Sequence, residues 1–183
     1  SEDEILSSAT TYQFTINDLV GTLASPFELN VGTVSLLIDM EEGWNFFSIN
    51  AETEDMDPNI VLMSLNPEIE DQVKSQTQSA IYYGEDAGWI GSLSSIDVKS
   101  MYMLKLSNSS ALDFTGFPVD PIANPINLTS GWNWVGYLPQ VAYDVNNALE
   151  TIDAVTEDQI KNQTQSAIYY GEAAGWLGSL SNM

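Results

Sequence analysis

DQVKSQTQSAIYYGEDAGWIGSLS, Asp71 to Ser94, returns as DQIKNQTQSAIYYGEAAGWLGSLS from Asp158 to Ser181. The two copies align without a gap at an offset of 87 residues (Asp71 to Asp158). They differ only at Val73/Ile160, Ser75/Asn162, Asp86/Ala173 and Ile90/Leu177. No other part of the chain repeats so well. A duplication left to drift evenly would be equally similar everywhere, so this stretch is held by a constraint that its surroundings escape.

Outside it the copies are recognisable but looser. Gly43-Trp44-Asn45-Phe46 matches Gly131-Trp132-Asn133-Trp134, each a turn entering a strand. Asp57-Pro58-Asn59 matches Asp144-Val145-Asn146, with Asp placed as a helix N-cap and Pro58 at a first helical position. Thr33–Ile38, Met101–Leu106 and Ala111–Phe114 read as strands. So does Ser75–Tyr83, rich in Thr, Ile and Tyr and free of Pro. Gly84–Gly88 makes a hairpin loop, with Trp89–Leu93 as the returning strand, and Phe117–Pro125 is a Pro-rich link. The fold class expected is β-rich α+β: two tandem copies of a strand–short helix–β-hairpin–strand module, packed with pseudo-twofold or head-to-tail symmetry.

The chain divides accordingly. Residues 1–9 are an acidic N-terminal linker, 10–36 a half repeat, 37–120 a full repeat, and 121–183 a second repeat lacking its final strands. In the half repeat Thr10–Ile16 alternates Tyr12, Phe14 and Ile16 with polar residues, the period of a half-buried strand. Tyr12-Gln-Phe-Thr-Ile can stand for Tyr102-Met-Leu-Lys-Leu, so the half repeat is expected to complete the C-terminal one. The chain lacks an initial Met and both its ends fall inside a repeat, so a longer parent chain with other domains is expected.

Charge is the anomaly of the composition. There are 26 acidic residues against Lys74, Lys99, Lys105 and Lys161, with no Arg and no His, for a net charge of −22. Nucleic acid is excluded as a partner, because its binding rests on cations that neutralise phosphates. No apolar run is long enough for membrane insertion. Catalysis also fares poorly, since without His, Cys or Arg the usual nucleophile–base pairs are missing. Glu85 and Glu172 could serve as a carboxylate pair, but they fall in different copies. A non-enzyme is expected.

Two groups of residues could still bind something. The hairpin aromatics Tyr82, Tyr83 and Trp89, repeated as Tyr169, Tyr170 and Trp176, could stack on a sugar ring or dock a protein, with Glu85 and Glu172 beside them. The loop residues Glu52, Glu54, Asp55 and Asp57 suit Ca²⁺, which takes six to eight oxygens, although the second copy keeps only Asp144. No other cofactor is suggested. Core packing is expected for Trp44 and Trp132, with the following Asn fixing each turn.

Gly-Trp-Asn-Trp, the Asp-headed helix, Gln-Thr-Gln-Ser-Ala-Ile-Tyr-Tyr, Gly-Trp-Leu-Gly-Ser-Leu and Tyr-Met-Leu-Lys-Leu occur here as a set. In these motifs, over about Leu37 to Met183, the chain resembles the GWNW-type repeats of large secreted and cell-surface bacterial proteins, especially marine ones. The resemblance implies an extracellular or cell-surface location and a non-enzymatic module for surface adhesion or display. A glycan or surface protein would be its partner. The alternative is a carbohydrate-binding module that uses the hairpin aromatics.

Overall fold

The computed structural model describes residues 32–183. The linker and the Thr10–Ile16 strand expected from the sequence lie outside these residues. In chain order the strands are β1 (Val34–Met40), β2 (Gly43–Phe47), β3 (Ala51–Glu52), β4 (Gln72–Lys74), β5 (Ser79–Tyr82), β6 (Trp89–Gly91), β7 (Tyr102–Leu106) and β8 (Ser110–Pro118). The second copy adds β9 (Gln159–Lys161), β10 (Ser166–Tyr169) and β11 (Trp176–Gly178). One short helix sits in each copy, α1 (Pro58–Val61) and α2 (Val145–Ala148). The described part is β-rich, and every paired strand is antiparallel.

Alternation decides which way each strand faces. In β7 Tyr102, Leu104 and Leu106 are buried, while Met103 and Lys105 lie on the other face. This strand lies between β2 and β4 in a five-stranded sheet ordered β2-β7-β4-β5-β6. On its inner face Phe47, Val73, Ala80 and Trp89 join the same core. A second sheet, β1-β8-β3, supplies Met40, Leu112 and Phe114, and α1 supplies Val61 and Leu62. Each large aliphatic side chain removed from water here contributes about 1.5–3 kcal/mol.

The second copy repeats the hairpin half of this arrangement as a three-stranded sheet, β11-β10-β9, over a smaller core of Val145, Ala167, Trp176 and Leu180. The hairpins occupy the same environment. Trp89 is 6% exposed and Trp176 7%. The Tyr82–Trp89 and Tyr169–Trp176 ring centroids are both 5.4 Å apart.

The helix N-terminus grips the hairpin in the same way in both copies. Asp57 caps α1 by accepting from the Asn59 amide, and Asp144 caps α2 by accepting from that of Asn146. Asn59 Oδ1 accepts from Trp89 N at 2.6 Å while its Nδ2 donates to Trp89 O at 3.2 Å. Asn146 does the same with Trp176, at 2.6 and 3.3 Å. The residue before each Trp must be Gly. At Gly88 (φ +69°) a Cβ would stand 2.2 Å from Asn59 Oδ1, and at Gly175 (φ +68°) 2.3 Å from Asn146 Oδ1.

Several elements differ from the sequence reading. Ser75–Tyr83 is not one strand. Ser75–Gln78 is a tight loop closed by Ser75 N donating to Gln78 O, and only Ser79–Tyr82 is extended. β8 runs on through Phe117 and Pro118, because its edge pairs with β3. Gly131–Tyr137 forms no ladder among the described residues, only a bridge from Val135 to Ser100. β4 (Gln72–Lys74) precedes the strand read from the sequence at Ser75, being short and bounded by polar residues.

Two outcomes follow from these contacts. Asn59→Ala and Asn146→Ala should each cost about 1–3 kcal/mol in urea unfolding, since each leaves a half-buried Trp backbone unpaired. Equal losses are expected, because the geometries match. The second concerns Tyr102, whose phenol burial pushes above its ordinary value, opposed by its hydrogen bond with Asp97. The unfolded phenol ionises near pH 10 while the folded one keeps its proton, so stability should fall as pH rises through about 10. Tyr102→Phe should flatten that fall.

Candidate functional site

The Ser75–Gln78 loop and its copy Asn162–Gln165 explain the strict repetition. At the first position Ser75 Oγ accepts from the amides of Thr77 and Gln78, at 3.3 and 3.1 Å. Asn162 Oδ1 does the same job for Thr164 and Gln165, at 2.9 and 2.8 Å. Serine and asparagine are interchangeable here because either supplies a short acceptor. The second glutamine stays within its own copy: Gln78 Nε2 donates to Ser92 O and Gln165 Nε2 to Ser179 O, both at 3.0 Å.

The first glutamine crosses to the other copy. Gln76 Nε2 donates to Trp132 O at 2.8 Å, and Gln76 Oε1 accepts from Trp134 N at 3.0 Å. Gln163 Nε2 donates to Trp44 O at 2.8 Å, and Gln163 Oε1 accepts from Phe46 N at 2.8 Å. The primary amide reproduces the donor and acceptor of one peptide unit. It therefore caps a strand edge as an added strand would, and exposed strand edges otherwise recruit other chains.

The gripped segments are held rigid by their own asparagines. Asn45 accepts from Glu41 N and donates to Glu41 O and Gly43 O. Asn133 makes the same set with Thr129 and Gly131. The sequence reading of Asn as the turn-fixing residue agrees with this. Core packing of the tryptophans does not: Trp44 is only half-buried and Trp132 is 54% exposed. Each ring instead lies under a lysine ammonium of its own copy, Lys74 at 4.4 Å and Lys161 at 4.5 Å. A cation over an indole face is attracted by the ring quadrupole. The parity of β2 puts Trp44 on the face opposite Asn45 and Phe47, which the hydrophobic count alone did not reveal.

The expected ligand residues fall into two groups. Trp89 and Trp176 are buried and present no ring face to solvent, while Tyr82 and Tyr169 are half-buried against them. Tyr83 and Tyr170 are 54% and 56% exposed, with Glu85 and Glu172 exposed beside them on the hairpin loops. An open cleft of about 350 Å³ lies between the copies, lined by Gln76, Asp97, Lys99 and Ser100 from one side and Asn127, Asn133 and Trp134 from the other. Its polar groups are largely engaged already. Asp97 accepts from Lys99 N and Ser100 Oγ, and Asn133 is bound to its own turn.

In the acidic loop Asp57 Oδ1 caps α1, and Asp55 Oδ1 accepts from Asp57 N at 2.9 Å. Both carboxylates thus have backbone roles. Among the described residues no three His, Cys, Asp or Glu side chains are grouped to hold a metal ion. A net charge of −22 predicts a different salt response. Added salt should raise the melting temperature by screening self-repulsion, and Ca²⁺ should do no more than Mg²⁺ at matched ionic strength. A larger shift with Ca²⁺ alone would establish Glu52, Glu54, Asp55 and Asp57 as ligands. No protein-family model, curated protein or solved structure matches the chain.

Proposed function

We propose that the chain is a non-enzymatic structural module of paired repeats, used outside the cell for surface adhesion or display. In this reading the two copies pack about a pseudo-twofold axis as a closed pair. The reciprocal glutamine contacts carry it. Gln76 takes the Trp132–Trp134 backbone, and Gln163, its equivalent, takes Trp44–Phe46. Such an isologous exchange is self-complementary and uses up both loops within the pair, whereas head-to-tail packing would leave one loop and one edge free.

The strictest repetition thus coincides with residues that shape the hairpin, brace it against the helix, or join the copies. Among the described residues no three His, Cys, Asp or Glu side chains converge to account for it. The acidic surface keeps such a module soluble, and the absence of His, Cys and Arg fits a role without acid–base or nucleophilic chemistry.

The exposed rings of Tyr83 and Tyr170 favour carbohydrate binding as a second reading. They lie at equivalent hairpin positions beside Glu85 and Glu172, amphipathic surfaces on which a pyranose face can stack.

Gln76→Ala and Gln163→Ala should each destabilise the pair by about 1–3 kcal/mol in urea unfolding, two hydrogen bonds being lost in each. The double variant should separate the unfolding of the larger and smaller cores into two transitions. Wild-type unfolding parameters in both variants would sink the paired-repeat reading. A glycan array decides the second one: a bound glycan lost in Tyr83→Ala/Tyr170→Ala would establish carbohydrate binding, and no retained glycan leaves the structural role.

A further inference from the structure

The two glutamine contacts and the two lysine–tryptophan contacts link into one closed circuit. Lys74 lies 4.4 Å from the Trp44 ring, and the Trp44 carbonyl accepts from Gln163 Nε2. Two residues before Gln163 comes Lys161, 4.5 Å from the Trp132 ring. The Trp132 carbonyl accepts from Gln76 Nε2, two residues beyond Lys74. One indole and one ammonium group from each copy are thereby gathered where the copies meet.

A third cation joins them. Register sets Trp44, Lys105, Gln72, Ile81 and Ile90 in one row across the five-stranded sheet. The next row on the same face holds Phe46, Met103, Lys74 and Ser79. Neither row contains an acidic residue, although the chain has 26. Lys74 and Lys105 are diagonal neighbours on adjacent strands, about 7–8 Å apart. The second copy continues the pattern, with Lys161 opposite Ser166 and with Gln159, Ile168 and Leu177 in line. Lys74, Lys105 and Lys161 are three of the four cations in the whole chain, whose net charge is −22. One lysine per tryptophan would satisfy the ring quadrupoles. Lys105 adds a like charge beside Lys74, which costs Coulomb energy until an anion sits between them.

We propose that this face is a binding strip for an acidic polysaccharide, with uronate or sulfate groups held by Lys74, Lys105 and Lys161 and sugar rings lying along the two tryptophans. Trp132 is 54% exposed even with Lys161 at its ring, so indole surface stays open to a pyranose. Lys105 and Lys161 are exposed as well. A glycan fits so narrow a strip better than a protein does, because a stable protein interface takes about 20–30 residues a side. Repulsion from acids elsewhere on the surface fades beyond about 8 Å at physiological salt, whereas contacts within the strip act at shorter range. The proposal gives the adhesion reading a class of partner and rests on that reading. It uses residues other than the hairpin tyrosines.

Biolayer interferometry of the full chain over immobilised polygalacturonate, dextran sulfate and neutral dextran tests it. The chain should bind one or both polyanions, which identifies uronate or sulfate as the group read, and should ignore neutral dextran. Lys74→Gln/Lys161→Gln should weaken binding by roughly tenfold or more, since two charge-assisted contacts go. Lys105→Gln should weaken it too. Lys99→Gln, which removes the same charge from the cleft between the copies, should leave it unchanged, as should Tyr83→Ala/Tyr170→Ala. Circular dichroism checks that each variant is folded; were the double lysine variant not to fold, Lys105→Gln against Lys99→Gln decides. No binding to either polyanion, binding that survives the lysine changes, or an equal loss in Lys99→Gln would overturn the assignment. Equally tight binding to polyglutamate would also overturn it and point to an acidic protein partner. Urea unfolding of the glutamine variants tests the pairing of the copies separately, so pairing can stand where polyanion binding fails.

Discussion

A glutamine side chain standing in for a peptide unit is the contact on which this arrangement depends. Each Gly-Trp-Asn segment has an outward edge with a carbonyl and an amide two residues apart, and each meets one primary amide from the other copy. Without that contact each copy would present an open edge to solvent, the feature that leads β-proteins to associate. The contact works only because both ends are rigid. The loop carrying Gln76 or Gln163 is braced by the Ser75 or Asn162 acceptor at its start, and the gripped segment by Asn45 or Asn133.

The same economy of short polar side chains runs through each copy. Asp57 and Asp144 cap a helix of only one turn, which would be marginal by itself, and the asparagine two residues on ties that turn to the hairpin tryptophan. The tryptophan then fills the core beside a tyrosine ring. Helix, hairpin and core are thus coupled through one side chain. This explains why a residue such as Gly88, which contributes no packing of its own, is kept in both copies.

The two copies are not equally complete among the described residues. The first has a five-stranded and a three-stranded sheet and a large core; the second has one three-stranded sheet and a small core. Positions on the hairpin side match closely in burial, while those facing the place of β7 diverge: Asp71 against Asp158, Val73 against Ile160, Trp44 against Trp132.

Much of the local structure was legible in the chain. Alternation in Met101–Leu106, Asp before Pro58, and glycines around the hairpin loop each have a local physical cause, and β7, α1 and the hairpin followed from them. The near-identity of the two long stretches also predicted equal environments for Trp89 and Trp176, which burial bears out. Tertiary structure alone decided which polar residue reached across. Gln76 and Gln78 sit two apart in the same loop and look alike in the sequence, yet one joins the copies and the other stays at home. It also decided the place of Trp44 and Trp132, because a large apolar residue at a strand start can face either side. Which side is core depends on the neighbouring strands, and those come from far along the chain.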